Sequence, residues 1–140
     1  MALVHATCVA IGGRGVLLMG PPGAGKSDLA LRLIDRGALL VADDAVTLGR
    51  DGDALRATCP ATIGRRIEVR GVGIVEVAAA AGAPIALGVI LDGTPERMPP
   101  DPLPNTLFEG VEVPQIALAP FEASAPLKVE QALALYGLPR

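Results

Sequence analysis

Aromatic residues are almost absent from this sequence. Phe108, Phe121 and Tyr136 are the whole aromatic set, and there is no tryptophan. Val, Leu, Ile and Ala must therefore fill the core, and a surface that reads bases or sugars by stacking is not expected. Lysine is nearly as scarce, with only Lys26 and Lys128. Together with a formal net charge of −3, this excludes a nucleic-acid partner held mainly by phosphate neutralisation. Cys8 and Cys59 are too few and too far apart for a disulfide scaffold or a zinc site, so both read as reduced, buried thiols. No apolar run reaches the length of a membrane span, and the N-terminus lacks the basic-then-apolar pattern of a signal peptide. A soluble cytoplasmic protein with no membrane partner is the expectation. At 140 residues, the chain is expected to form one domain over residues 1–140.

What is abundant is apolar sequence punctuated by glycine. Val4 to Ile11 and Gly15 to Met19 are β-rich runs separated by Gly12-Gly13, which predicts a hairpin. Leu29, Ala30, Leu33 and Ile34 recur at helical spacing, and Gly37 is placed to end that helix in a left-handed cap. Leu39 to Ala42 reads as a strand buried on both faces and ends in Asp43-Asp44. A further hairpin is predicted around Asp51-Gly52, and an extended stretch over Ile67 to Val77 broken at Gly71 to Gly73. Ile85 to Leu91 and Val111 to Leu118 read as strands, Asp92 to Asn105 as a proline-rich irregular connection, and Ala125 to Tyr136 as a helix closed by Gly137.

Between the second strand and the first helix lies Gly20-Pro21-Pro22-Gly23-Ala24-Gly25-Lys26-Ser27, a complete G-x-x-x-x-G-K-[ST]. Its glycines permit a tight turn whose successive N–H groups can converge on phosphate oxygens. The helix that follows adds its free amides and dipole. Lys26 is placed to reach the outer phosphates and Ser27 to ligate magnesium. A unit charge pair at 4 Å is worth about 4 kcal/mol at an effective dielectric near 20, so one lysine can dominate affinity. The pattern specifies triphosphate binding and is silent on the phosphate acceptor.

Asp43 and Asp44 end a strand where such proteins often keep an acid facing the nucleotide. If the strand stays extended through both, their side chains point to opposite faces and only one need face the reaction. Either could instead cap a loop or pair with an arginine such as Arg50. Glu68 and Arg70 share one face of a strand, a spacing equally suited to a surface ion pair. His5 falls within a predicted strand and could equally be a core residue.

Three stretches taken together resemble the kinase domain of the HPr kinase/phosphorylase family. They are Gly20 to Ser27, Leu40-Val41-Ala42-Asp43-Asp44, and Ile67-Glu68-Val69-Arg70-Gly71-Val72-Gly73-Ile74, the last resembling the family's signature. The resemblance runs from about Val4 to Pro114 and weakly beyond. It implies a P-loop α/β fold related to phosphoenolpyruvate carboxykinase, with a central mixed sheet and flanking helices. It also implies transfer of phosphate from ATP, or in some members pyrophosphate, to a serine of the phosphocarrier protein HPr. Many members also reverse the transfer with inorganic phosphate. The cofactors implied are ATP and Mg2+. The resemblance makes Lys26 and Ser27 phosphate and magnesium residues, Asp44 the group that takes the serine proton, Glu68 a second magnesium residue, and His5 an active-site residue. Arg97 lies near a catalytic arginine of the family, while Asp43 carries no assigned role. The family's hexamer implies a homo-oligomer, which the residues themselves do not decide.

The departures from the family pattern carry their own expectations. Relative to the family, the chain is expected to lack the N-terminal domain and much of the C-terminal region. Asp28 replaces Glu, and Ala6 replaces Gly after the histidine. An arginine- and glycine-rich loop tied to dephosphorylation is replaced by Leu118 to Ser124, which holds no arginine. A serine kinase with weak or absent phosphorylase activity is expected. The alternatives are a small-molecule kinase and a nucleotide-sensing module without turnover.

Overall fold

The structure is a computed structural model that describes residues 1–60 and 65–139. Its first three strands are β1 (Ala2–Val4), β2 (Ala6–Ile11) and β3 (Arg14–Met19), followed by α1 (Lys26–Asp35). Then come β4 (Leu39–Ala42), β5 (Val46–Asp51), β6 (Ala54–Thr58), β7 (Arg66–Val69), β8 (Gly73–Glu76) and β9 (Gly82–Ile90). β10 (Asn105–Phe108), β11 (Val111–Ala117) and α2 (Ala125–Tyr136) complete the chain.

The main sheet is mixed and runs β1-β5-β6-β9-β3-β2-β4. β9 is its hub. β3 lies parallel along residues 85–90, β6 pairs antiparallel with 82–84, and β11 pairs parallel with 88–90. Because β3 already occupies one edge of β9 there, β6 and β11 diverge from the other edge, and the sheet curls. Gly15 permits the close approach of β3 and β9, since a Cβ there would stand 2.8 Å from the Ile85 side chain.

Local sequence explains most turns. Gly12 and Gly13, both at positive φ (58° and 84°), make the tight β2–β3 connection. At the end of α1 the Gly37 N–H donates to the Ile34 carbonyl and the Ala38 N–H to the Leu33 carbonyl. This is the Schellman arrangement, and it needs the left-handed φ of 108° at Gly37.

Period-two alternation splits the strands between two cores. Val9, Val16, Leu18 and Leu40 pack with Leu29, Ala30 and Leu33 of α1 and with Val129 and Leu133 of α2. Cys8, Leu17 and Ala42 face the opposite way and pack on Val46, Leu48, Leu55 and Ala57, joined by Val41 where the β2–β4 register shifts. Both helices therefore lie on one face, and the curl of the sheet covers the other. Arg36 of α1 fastens the helices together through a 2.9 Å ion pair with Glu130. After α2, the Leu138 N–H donates to the Ala86 carbonyl and holds the tail on β9.

Several expectations change at this level. The first run is two strands: His5 breaks it, and β1 pairs with β5 instead of continuing β2. His5 is thus an exposed bend residue, neither in a strand nor in the core. β10 was not expected; it forms an antiparallel hairpin with β11 through Glu109 and Gly110, both at positive φ. β4, expected to be buried on both faces, ends the sheet order antiparallel to β2 and leaves Leu39 exposed. Cys59 is half-buried, whereas Cys8 is fully buried. Among the described residues, no helix is long and apolar enough to cross a membrane.

Candidate functional site

One end of the sheet gathers the chemistry. Ala6 is in register with Met19, Met19 with Ile90, and Ile90 with Ala117. His5, Gly20, Leu91 and Leu118 therefore leave four neighbouring strands at one rim. The parallel strands β3, β9 and β11 all have their C-terminal ends here, the side on which open α/β sheets bind ligands.

The glycine-rich loop closes the gap from β3 to α1. Gly20, Gly23 and Gly25 have φ of 159°, 84° and 98°, and the Ala24 N–H donates to the Pro21 carbonyl at 3.0 Å. Lys26 opens α1 and is only 7% exposed. Its Nζ donates to the carbonyls of Gly20 at 2.6 Å and Pro21 at 3.1 Å. The ammonium thus lies across the loop's own backbone, not in solvent.

Beside it, Ser27 Oγ donates to Asp43 Oδ1 at 2.7 Å. Thr7 Oγ1 donates to the same oxygen at 3.0 Å and accepts the Asp44 N–H at 3.2 Å. Thr7 is wholly buried, so its hydroxyl requires these partners. The chain does not stay extended through the acidic pair. β4 stops at Ala42, and Asp44 adopts φ 67°, a left-handed geometry unusual outside glycine. The kink leaves Asp43 half-buried against Ser27 and Asp44 exposed. The two carboxylates are thus set apart by a turn, and neither pairs with Arg50, which reaches Gly52 and Asp53.

Glu68 and Arg70 stand on the solvent face of the β7–β8 hairpin, while Ile67 on the other face is buried in the helix-side core. No hydrogen bond or ion pair links Glu68 to Ser27 or Asp43 among the described residues. Arg97 is exposed in the connection between β9 and β10. It lines a cavity of about 560 Å³ formed with β11 and α2, next to Leu103, Leu118, Leu127 and Tyr136.

No cluster of three or more His, Cys, Asp or Glu side chains suited to a metal occurs among the described residues. The Ser27–Asp43 pair still suits magnesium, a hard cation that commonly takes one or two protein oxygens and completes its shell with phosphates and water. Thr7 and the coupling of Asp43 to Ser27 were missed from sequence. A lone threonine in the apolar run Ala6–Ile11 is the one signal that could have drawn attention to the first.

Residues 1–87, more than half of the chain, match the model of the HPr serine kinase C-terminal domain. The HPr kinase/phosphorylase of Chlorobium phaeobacteroides is 48% identical over 79 residues, 56% of this chain and 23% of that protein. The protein of the same name from Exiguobacterium is 44% identical over 84 residues, 59% of this chain and 27% of that protein. The matched part is about a quarter of the length of these curated relatives. The solved structure of the Hpr(Ser) kinase/phosphatase from Coxiella burnetii superposes with a TM-score of 0.82 at 32% identity, covering 96% of this chain and 95% of that chain.

Proposed function

The chain belongs to the HPr serine kinase C-terminal domain family, and from that membership we propose that it transfers the γ-phosphate of ATP to a serine of an HPr-like phosphocarrier. The observation that carries the reading is the bond from Ser27 Oγ to Asp43 Oδ1, which sets a hydroxyl and a carboxylate side by side at the mouth of a glycine-rich loop. The turn of Gly20, Pro21, Pro22, Gly23, Ala24 and Gly25 would cradle the phosphates, the non-proline residues through their backbone N–H groups, together with the N-terminus of α1. Lys26 exchanges its two carbonyl partners for phosphate oxygens. Ser27 and Asp43 would hold magnesium, and Glu68 would have to reach it from the solvent face of the β7–β8 hairpin. When bound, the ion supplies neutralising charge to the outer phosphates.

The serine oxygen of the carrier bonds to the γ-phosphorus as the bond to the β-phosphate oxygen breaks, releasing ADP. Asp44 takes the serine proton. Its carboxylate is exposed, and its backbone N–H is anchored on Thr7, so the group is displayed outward toward a protein substrate. His5 precedes β2 at the same rim and would face the reacting groups from that side. Arg97 would have to reach the phosphates from the β9–β10 connection.

The reverse reaction is proposed to be weak. Residues Pro120 to Ser124 bring no arginine, and the nearby Arg32 is engaged by Asp28 at 2.9 Å. The test of function is an acceptor panel with labelled ATP. Labelling of an HPr-like carrier but not of small phosphoryl acceptors supports protein kinase activity; the opposite pattern identifies a small-molecule kinase.

A further inference from the structure

Phe121 is one of three aromatic residues in the chain, and it stands at the glycine-rich loop. A Cβ placed on Gly25 would lie 3.0 Å from Cε1 and Cζ of the Phe121 ring and 3.3 Å from Cβ of Pro120. The ring therefore lies against the loop at Gly25, yet Phe121 is 71% exposed. Its position is not that of a free surface side chain, because the residues on either side are fastened. The Arg32 guanidinium donates to the Pro120 carbonyl and, at 3.1 Å, to the Glu122 carbonyl. Asp28 holds the same guanidinium from the first turn of α1. Lys128 of α2 ties down the Glu122 carboxylate at 2.7 Å. An arginine rooted in the loop's own helix thus fixes where the ring stands relative to the loop.

The sheet order gives the ring a direction. From β3, the strand that feeds the loop, β2 and β4 lie to one side and carry Thr7 and Asp43. β9 and β11 lie to the other, and Phe121 follows β11. If the outer phosphates and magnesium take the Ser27–Asp43 side, the remainder of the nucleotide leaves across the opposite flank. That flank presents an exposed aromatic ring.

We propose that Phe121 is a specificity-determining residue: its ring stacks on the nucleobase, so the chain selects a nucleoside triphosphate over a bare polyphosphate as phosphate donor. The inference rests on the phosphate-loop reading above. Gly25 follows as a steric requirement, since any side chain there would displace the ring.

The test compares Mg-ATP with magnesium tripolyphosphate, which carries the same phosphate chain without a base. Calorimetry on wild type and Phe121→Ala should show ATP affinity falling roughly 5- to 160-fold, the range for loss of one base–aromatic stack. Tripolyphosphate affinity should change less than twofold. Because the chain has no tryptophan, Phe121→Trp supplies a single reporter. Its fluorescence should be quenched by ATP and left unchanged by tripolyphosphate, with ATP affinity at or above wild type. Equal weakening of both ligands in Phe121→Ala, or unchanged ATP affinity, overturns the platform while leaving the loop's role intact. Failure of the folded wild type to bind either ligand overturns the phosphate loop itself, and the platform with it.

Discussion

Replacing Lys26 by alanine should destabilise the unliganded protein as well as abolish nucleotide binding. A lysine waiting in solvent would be removed at no cost to the fold. Here the ammonium is buried and donates to two carbonyls, at 2.6 and 3.1 Å. Hydrogen bonds to a charged group contribute about 1.5–3 kcal/mol each. The Pro21 carbonyl lies on an exposed residue and regains water, so only the Gly20 bond counts in full. Removing a cation from the first position of α1 returns about 0.3–1 kcal/mol through the helix dipole. The net cost is about 1–2 kcal/mol, which for a domain of this size lowers Tm by roughly 3–8 °C. Saturating Mg-ATP at a hundred times Kd should stabilise the wild type by about 2.7 kcal/mol and the variant not at all. Thermal melts followed by circular dichroism, with and without Mg-ATP, measure both effects. A Lys26→Ala protein that melts with the wild type and keeps its ATP shift would refute the reasoning.

The acidic pair should separate by function. Asp43→Asn weakens the Ser27 contact and should reduce magnesium-dependent ATP binding, whereas Asp44→Asn should leave binding near wild type and slow transfer at least a hundredfold; equal binding losses measured by calorimetry would assign both to the metal. Incubating phosphoserine carrier with enzyme, magnesium and millimolar phosphate should release pyrophosphate far more slowly than the forward reaction proceeds, and comparable rates would show that another group supplies the missing positive charge. Burial pushes the Cys8 thiol up to about 12 from its ordinary value of 9.0. The unfolded chain then loses this proton first, so the contribution is complete below pH 9 and is lost between pH 9 and 12 at up to about 1.4 kcal/mol per pH unit. Urea melts should show a shallower alkaline decline for Cys8→Ala than for wild type, and identical slopes would remove this cause.

Local signals in the sequence fixed much of the scaffold. Gly12-Gly13, Gly37 and the run Ala125 to Tyr136 mark their turn, cap and helix because backbone conformation at those points depends on the residues themselves. The curl of the sheet could not be read this way, because it arises where β6 and β11 leave the same edge of β9, a choice made by distant partners. β1 was hidden by its continuity with β2 in hydropathy. Only its pairing with β5 shows that His5 interrupts it. At the site, the glycine-rich loop was evident from spacing alone. The jobs of the two aspartates were not, since the extended-strand premise fails at the left-handed Asp44. Arg32 and Phe121 are unremarkable in a linear reading and matter only because β11 ends beside β3's loop. The scarcity of aromatics argued against stacking in general, yet it could not say where the few rings stand.

The measurement closest to the central claim is the intact mass of an HPr-like carrier after incubation with this protein and Mg-ATP. The account predicts the gain of one phosphate, mapped by fragmentation to a serine, absent with the Asp44→Asn enzyme and absent when that serine is alanine. A folded, ATP-binding protein that leaves every carrier tested at its original mass would contradict it.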